Sequence, residues 1–137
     1  MNPEVTGLPE VDWHVLETLA ARLEQPGVSP GSLAEAEWRC LPAAVQCLTD
    51  QEDWPALLQL RRLFRPLMAR DSAGAMPVFL ELSESAAVAA EKLGDWKELA
   101  GILGAYGHNL HRQGFHARAA AVFERSAQLY QDFGESF

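Results

Sequence analysis

Cysteine is nearly missing from this sequence, with two in 137 residues, and basic residues are outnumbered, eleven Lys and Arg against nineteen Asp and Glu. The first scarcity argues against a disulfide scaffold or a cysteine-rich metal site. Cys40 and Cys47 stand seven apart, on one face of a helix and not at a metal-ligand spacing, so they read as small core residues. The second gives a net charge of −8 and a pI near 4.9, which opposes general attraction to nucleic acid or to an anionic membrane while leaving room for a local basic strip. No apolar run approaches the roughly 18 residues of a membrane span. Met1 to Pro9 carries Glu4 and has neither the basic start nor the apolar stretch of a secretory signal, so the expectation is a flexible lead over residues 1–9 and a reducing cytoplasmic setting. Signatures of catalysis are missing too. GxxxxGK[ST], GxSxG, HExxH and CxxC do not occur, and Gly101, Gly104 and Gly107 form GxxGxxG inside a helical pattern, which is not a dinucleotide turn. Neither an enzyme nor a cofactor is expected.

What remains is apolar and helical. Hydrophobic residues make up 48% of the chain, too many for disorder, and 15.1 kDa fits one domain, placed at residues 10–137. Its most informative pattern is the pair Asp-Trp, at Asp12-Trp13, Asp53-Trp54 and Asp95-Trp96, at intervals of 41 and 42 residues. Three of the four tryptophans sit in that dipeptide. Leu16, Leu57 and Leu99 lie three residues past the Trp. Leu19, Leu60 and Ile102 lie six past it, and Leu23, Phe64 and Tyr106 ten past it, which traces one stripe of an α-helix. A period near forty residues is what stacked helical hairpins produce. Each Asp is placed to accept from the orphan N–H groups of a helix start, with Glu98 in a capping-box-like position and Pro55 in a first turn. Each Trp is expected to fold back on the preceding helix.

The fold predicted is all-α: three stacked antiparallel hairpins in units of about 11–50, 53–93 and 95–133. First helices are placed at about 11–25, 54–70 and 95–113, and second helices at about 31–50, 75–93 and 116–133. Gln25 to Gly31 is a loop, Ser32 with Glu35 is a capping box, and Asp71 to Ala75 separates the middle pair. Gly94 ends the fourth helix. Pro42 and Pro66 fall inside predicted helices and should kink or split them.

Residues 100–133 resemble the 34-residue tetratricopeptide repeat. Leu103, Tyr106, Gly107 and Leu110 take the large-large-small-large positions of its first helix, Gly114 the turn, and Ala119, Phe123 and Ser126 the packing positions of its second helix. The pattern departs at Ser126, where alanine is usual, and at Gln131, where proline is common. The resemblance implies a concave groove lined by first helices, whose positions in the last unit are Gly101, Gly104, His108, His111 and Arg112. A shift of 42 residues gives Gln59, Arg62, Pro66, Ala69 and Arg70 in the middle unit. Arg62, Arg70, Gly104, His108, His111 and Arg112 are therefore the candidate partner-binding residues. Guanidinium forks bind carboxylates, so the expected partner is an acidic peptide or free C-terminus.

Each of these features also has a plain reading. The arginines could form a solvated face paired with Glu52, Asp53 and Asp71. Gly101 and Gly104 are expected to admit a neighbouring helix or a ligand backbone. His108 and His111 lack a nearby carboxylate or cysteine, so no metal site is expected, and cations there suit the helix's negative end. The last helix ends apolar at Phe133 and Phe137 without a polar cap, which predicts continuation into a longer array or self-association there. The function expected is a non-catalytic interaction module, adaptor or regulatory; the alternative is a small-molecule-sensing domain of a larger signalling protein.

Overall fold

The computed structural model describes residues 11–28, 33, 35–70 and 77–137. The expected flexible lead, the Ser32 capping box and the loop from Asp71 to Ala75 lie outside the described residues. Among the described residues seven α-helices follow in order: α1 Trp13–Glu24, α2 Glu35–Trp38, α3 Cys40–Asp50, α4 Trp54–Met68, α5 Pro77–Leu93, α6 Trp96–Arg112 and α7 His116–Phe133. A 3-10 turn, Gly134–Ser136, closes the chain, and no strand occurs among the described residues.

These helices form three stacked hairpins. α6 packs along α7, α4 along α5, and α1 against α3, while α5 against α6 and α1 and α3 against α4 join one hairpin to the next. The apolar row three, six and ten residues past each Trp supplies the centre. Leu16, Leu57 and Leu99 are completely buried, and Leu19, Leu60, Ile102, Leu23, Phe64 and Tyr106 are each no more than 5% exposed. Between the first two units sits Phe79, whose ring meets Trp38 edge-on at 5.9 Å and Phe64 at 6.1 Å.

The two prolines behave differently. The expected helix over 31–50 divides at Arg39, and Pro42 becomes the third residue of α3, where the missing N–H has no intrahelical acceptor to leave unpaired. Pro66 neither splits nor terminates α4 at its own position: the helix runs through it and stops two residues later, at Met68.

The helix junctions explain the Asp-Trp pairs. Asp12, Asp53 and Asp95 accept hydrogen bonds from the N–H groups of Val15, Ala56 and Glu98 at 3.2–3.3 Å, each capping the helix that follows. Asp53 and Asp95 also end the helix before. Asp95 donates its N–H to the Ala90 carbonyl and Gly94 donates to Glu91, while Asp53 donates to Leu48 and Glu52 to Thr49; both are Schellman closures. One residue thus serves two helices, which makes the turn between hairpins as short as the chain allows. Glu98 does not complete the expected capping box, because the Asp95 N–H is already held by Ala90, and its carboxylate turns toward α4 instead.

A Schellman closure needs a left-handed residue, and here the junctions differ. Gly94 takes φ +68° at one, whereas Glu52 takes φ +53° at the other, a conformation that costs an L-residue about 1 kcal/mol. Glu52→Gly is expected to stabilise the protein by about 0.5–1 kcal/mol, read as a higher midpoint in urea denaturation; a lower midpoint would show that the Glu52 side chain contributes more than the strain it carries.

In the last hairpin, a methyl group added at Gly107 would lie 2.7–3.0 Å from the Phe123 ring, so the close approach there requires glycine. Ser126 is buried and donates to the Ala100 carbonyl at 2.9 Å, which accounts for a hydroxyl where alanine was the usual residue. Tyr106 donates to Glu84 Oε1 at 2.6 Å, and Arg118 donates both to that oxygen and to the Tyr106 hydroxyl at 2.8 Å. Burial and the Glu84 bond push the phenol up to about 12. Trp96 packs against the core, and its ring stacks on Phe133 of α7 at 5.4 Å and 9°.

Candidate functional site

α4 and α6 both pack on α5, and between them runs a groove of about 750 Å³. Helical spacing decides which residues reach it. On α4, Arg61, Arg65 and Met68 fall on one side at i, i+4 and i+7; on α6, Gly101, Ala105, His108 and Arg112 do the same at i, i+4, i+7 and i+11. Lys97, Asp95 and Glu98 line the end nearest the start of α6, and Tyr130 of α7 reaches the groove from behind. The rim is exposed at Arg65, Lys97, Gly101, His108 and Arg112, whereas Arg61, Met68 and Asn109 are buried at its floor. This is an open channel with a charged base.

Four of the lining side chains, Arg61, Arg65, Lys97 and Arg112, are cationic, against two carboxylates, Asp95 and Glu98. Asp95 is occupied with capping α6. A chain of net charge −8 therefore presents a locally cationic hollow.

Arg61 is the unusual member. It is 5% exposed, and its guanidinium lies 3.7 Å from Glu98 Oε1, which is also 3.6 Å from Arg62 Nε. Neither distance is a hydrogen bond. Among the described residues the buried Arg61 Nε and Glu98 Oε1 have no hydrogen-bond partner, a state that costs about 1–3 kcal/mol per group. Burial depresses the guanidinium's pKa, Glu98 acts in the opposite direction, and Arg65 and Arg62 add to the depression. A guanidinium titrates so high that it stays charged at neutral pH. Asn109, also buried, accepts from Arg112 and steadies it at the groove wall.

Of the residues expected at the groove, Gly101, His108 and Arg112 on α6 and Ala69 at the end of α4 line it. Arg62 lies outside, beside Glu98, and Arg70 donates to the Leu23 carbonyl at 3.0 Å, tying the end of α4 to α1. Gly104 is half-buried and faces Ser126 of α7. His111 sits with its Nδ1 3.0 Å from that of His116 at the turn into α7. The reason is geometric. A crevice between two side-by-side helices is walled by opposite flanks, and moving the α6 positions back by 42 residues selects mostly the same flank of α4 rather than the facing one, with Ala69 at the helix end still meeting the groove. Arg61 and Arg65 were thus missed although Arg61, Arg62, Arg65 and Arg70 all stand within ten residues of the sequence, and Lys97 and Asn109 carried no signal.

Neither Gly101 nor Gly104 admits a neighbouring helix closely. Among the described residues, a methyl at Gly101 would meet nothing within 4 Å, and at Gly104 only Ser126 Oγ at 3.9 Å, an ordinary contact. At the far end of the molecule, Phe133 is engaged by Trp96, and Phe137 packs edge-on against Tyr130 at 5.6 Å and against the core. Cys47 is buried and Cys40 half-buried, neither in a disulfide, with burial pushing the Cys40 thiol up. Among the described residues no group of three or more His, Cys, Asp or Glu side chains is placed to hold a metal, and no helix is long and apolar enough to cross a membrane.

Comparison with protein-family models, with curated proteins and with solved structures finds no match to this chain.

Proposed function

We propose that this chain is a non-catalytic, tetratricopeptide-like interaction module that holds an acidic peptide segment in the groove between α4 and α6. The observation that carries this reading is the convergence of Arg61, Arg65, Lys97 and Arg112 on one concave surface of an otherwise acidic protein. Guanidinium groups recognise carboxylates with directional, charge-assisted hydrogen bonds. The exposed rim lets an extended segment enter and leave along the channel, and Met68, Ala69 and Ala105 offer it apolar contact.

A small-molecule sensor is the second reading. Its support is the volume of about 750 Å³, within the range of roughly 300–1,000 Å³ usual for small ligands. The exposure of Lys97, Gly101, His108 and Arg112 favours the peptide, because a small ligand there keeps much of its surface in water.

The test is fluorescence anisotropy with a fluorescein-labelled dodecapeptide of alternating Glu and Ala, and its Lys counterpart as control. Wild-type protein is expected to bind the Glu peptide more weakly as salt rises, and Arg65→Glu with Arg112→Glu to weaken binding at least tenfold at unchanged helicity and melting temperature. Equal binding by the double variant, or preference for the Lys peptide, would refute the proposal.

A further inference from the structure

Among the described residues nothing requires Gly101 to be glycine, and we infer that the main chain of a bound acidic peptide crosses α6 at that position. The inference rests on the groove reading above and adds where the peptide lies. Gly101 is in the interior of α6 with ordinary helical backbone; the described glycines with positive φ are Gly27, Gly94 and Gly114. Glycine weakens a helix interior relative to alanine, since it loses more conformational freedom on folding. At Gly107 that loss has a return, since a methyl would collide with Phe123, whereas Gly104, where a methyl would make an ordinary contact with Ser126, faces α7 and does not line the groove. At Gly101 a methyl would meet no atom of the described residues within 4 Å.

The space beside Gly101 is the groove. Gly101 is exposed on the groove wall, with Ala105 one turn further along α6 and Ala69 on the opposite wall, so the channel is shallow-sided at this point and bulky on either side. A second observation is independent of the small residues: Arg61, 5% exposed, lines the same groove with an Nε that no described group accepts from. Peptide main chain lying over Gly101 comes closer to α6 by the thickness of the missing methyl, which lowers an acidic side chain toward Arg61 and Arg65. In an extended peptide alternate side chains point to one face, about 6.6 Å apart. One carboxylate then turns to the α4 arginines while its neighbours point away, and the next on that face is placed toward Lys97 or Arg112.

The experiment compares Gly101→Ala, Gly101→Leu and the control Gly104→Ala for melting temperature and for binding of the same Glu-Ala dodecapeptide. Gly101→Ala is expected to raise the melting temperature by about 3 °C and to weaken binding about threefold. Gly101→Leu is expected to weaken it tenfold or more, while Gly104→Ala stays within twofold of wild type. Wild-type binding by Gly101→Leu, with the Arg65/Arg112 variant still defective, would overturn this inference and leave the groove reading intact. A drop in melting temperature for Gly101→Ala would also overturn it, by giving the glycine a structural role. Absence of wild-type binding, or unimpaired binding by the Arg65/Arg112 variant, would remove the groove reading and this inference together.

Discussion

Phe79→Ala is expected to destabilise the protein by about 4 kcal/mol, the largest effect of any single truncation considered. Phe79 is completely buried, and its ring touches Trp38 of the first hairpin and Phe64 of the second. In a stack of hairpins, stability is the sum of each unit's own packing and the interfaces between units, so a side chain that serves an interface and a unit together is costly to remove. Truncation forfeits the transfer free energy of the ring and leaves a cavity that three separate helices would have to move to close. Thermal denaturation followed by circular dichroism should show a melting temperature lower by at least 10 °C, since about 1 kcal/mol corresponds to roughly 3–4 °C at this size. Phe115→Ala, at a position 47% exposed, should change stability by less than about 1 kcal/mol. A loss under about 1 kcal/mol at Phe79 would mean that the first two hairpins do not meet through this ring.

The second large effect is expected at the groove floor. Glu98→Met removes the carboxylate facing Arg61 and leaves a guanidinium that is 6% exposed with no counter-charge, at a cost of about 2–3 kcal/mol. That figure lies at the low end for a buried pair because the 3.7 Å separation makes no hydrogen bond. Arg61→Met is expected to cost less: Glu98 keeps Arg62 as a neighbour at 3.6 Å and retains some access to water, its side chain being 22% exposed. The double variant Arg61→Met with Glu98→Met should return to within about 1 kcal/mol of wild type, because two apolar side chains of similar length restore burial without charge. A double-mutant cycle in urea gives the coupling directly. Coupling below about 0.5 kcal/mol would show that the two groups do not depend on each other in the folded protein.

Much of the fold was legible because its signals are local. Asp12, Asp53 and Asp95 cap helices as their chemistry dictates, since a carboxylate three residues before an orphan N–H needs no tertiary help to find it. The apolar row after each Trp is buried in all three hairpins, because period and burial are the same fact read twice. Gly107 against Phe123 was also readable, as a small residue opposite a large one. The site was not legible in the same way. Arg62 and Arg70 were expected at the groove and lie outside it, while Arg61 and Arg65 form its α4 wall. One position separates Arg61 from Arg62, about 100° around the helix, and nothing local distinguishes the flank that will face α6. Glu98 misled for a related reason: its spacing from Asp95 fits a capping box, yet the Asp95 N–H is taken by Ala90 of the previous helix.

By itself, then, the order of residues determined where helices begin, which stripe of each turns inward, and that the chain is all-helical, because capping, turn chemistry and hydrophobic period act over a few residues. Only tertiary packing decided which flank of α4 meets which flank of α6, and so which arginines converge and which glycine is left without a neighbour. Those outcomes depend on the rotation of one helix about its axis relative to another, which is set by ridges and grooves contributed from distant parts of the chain.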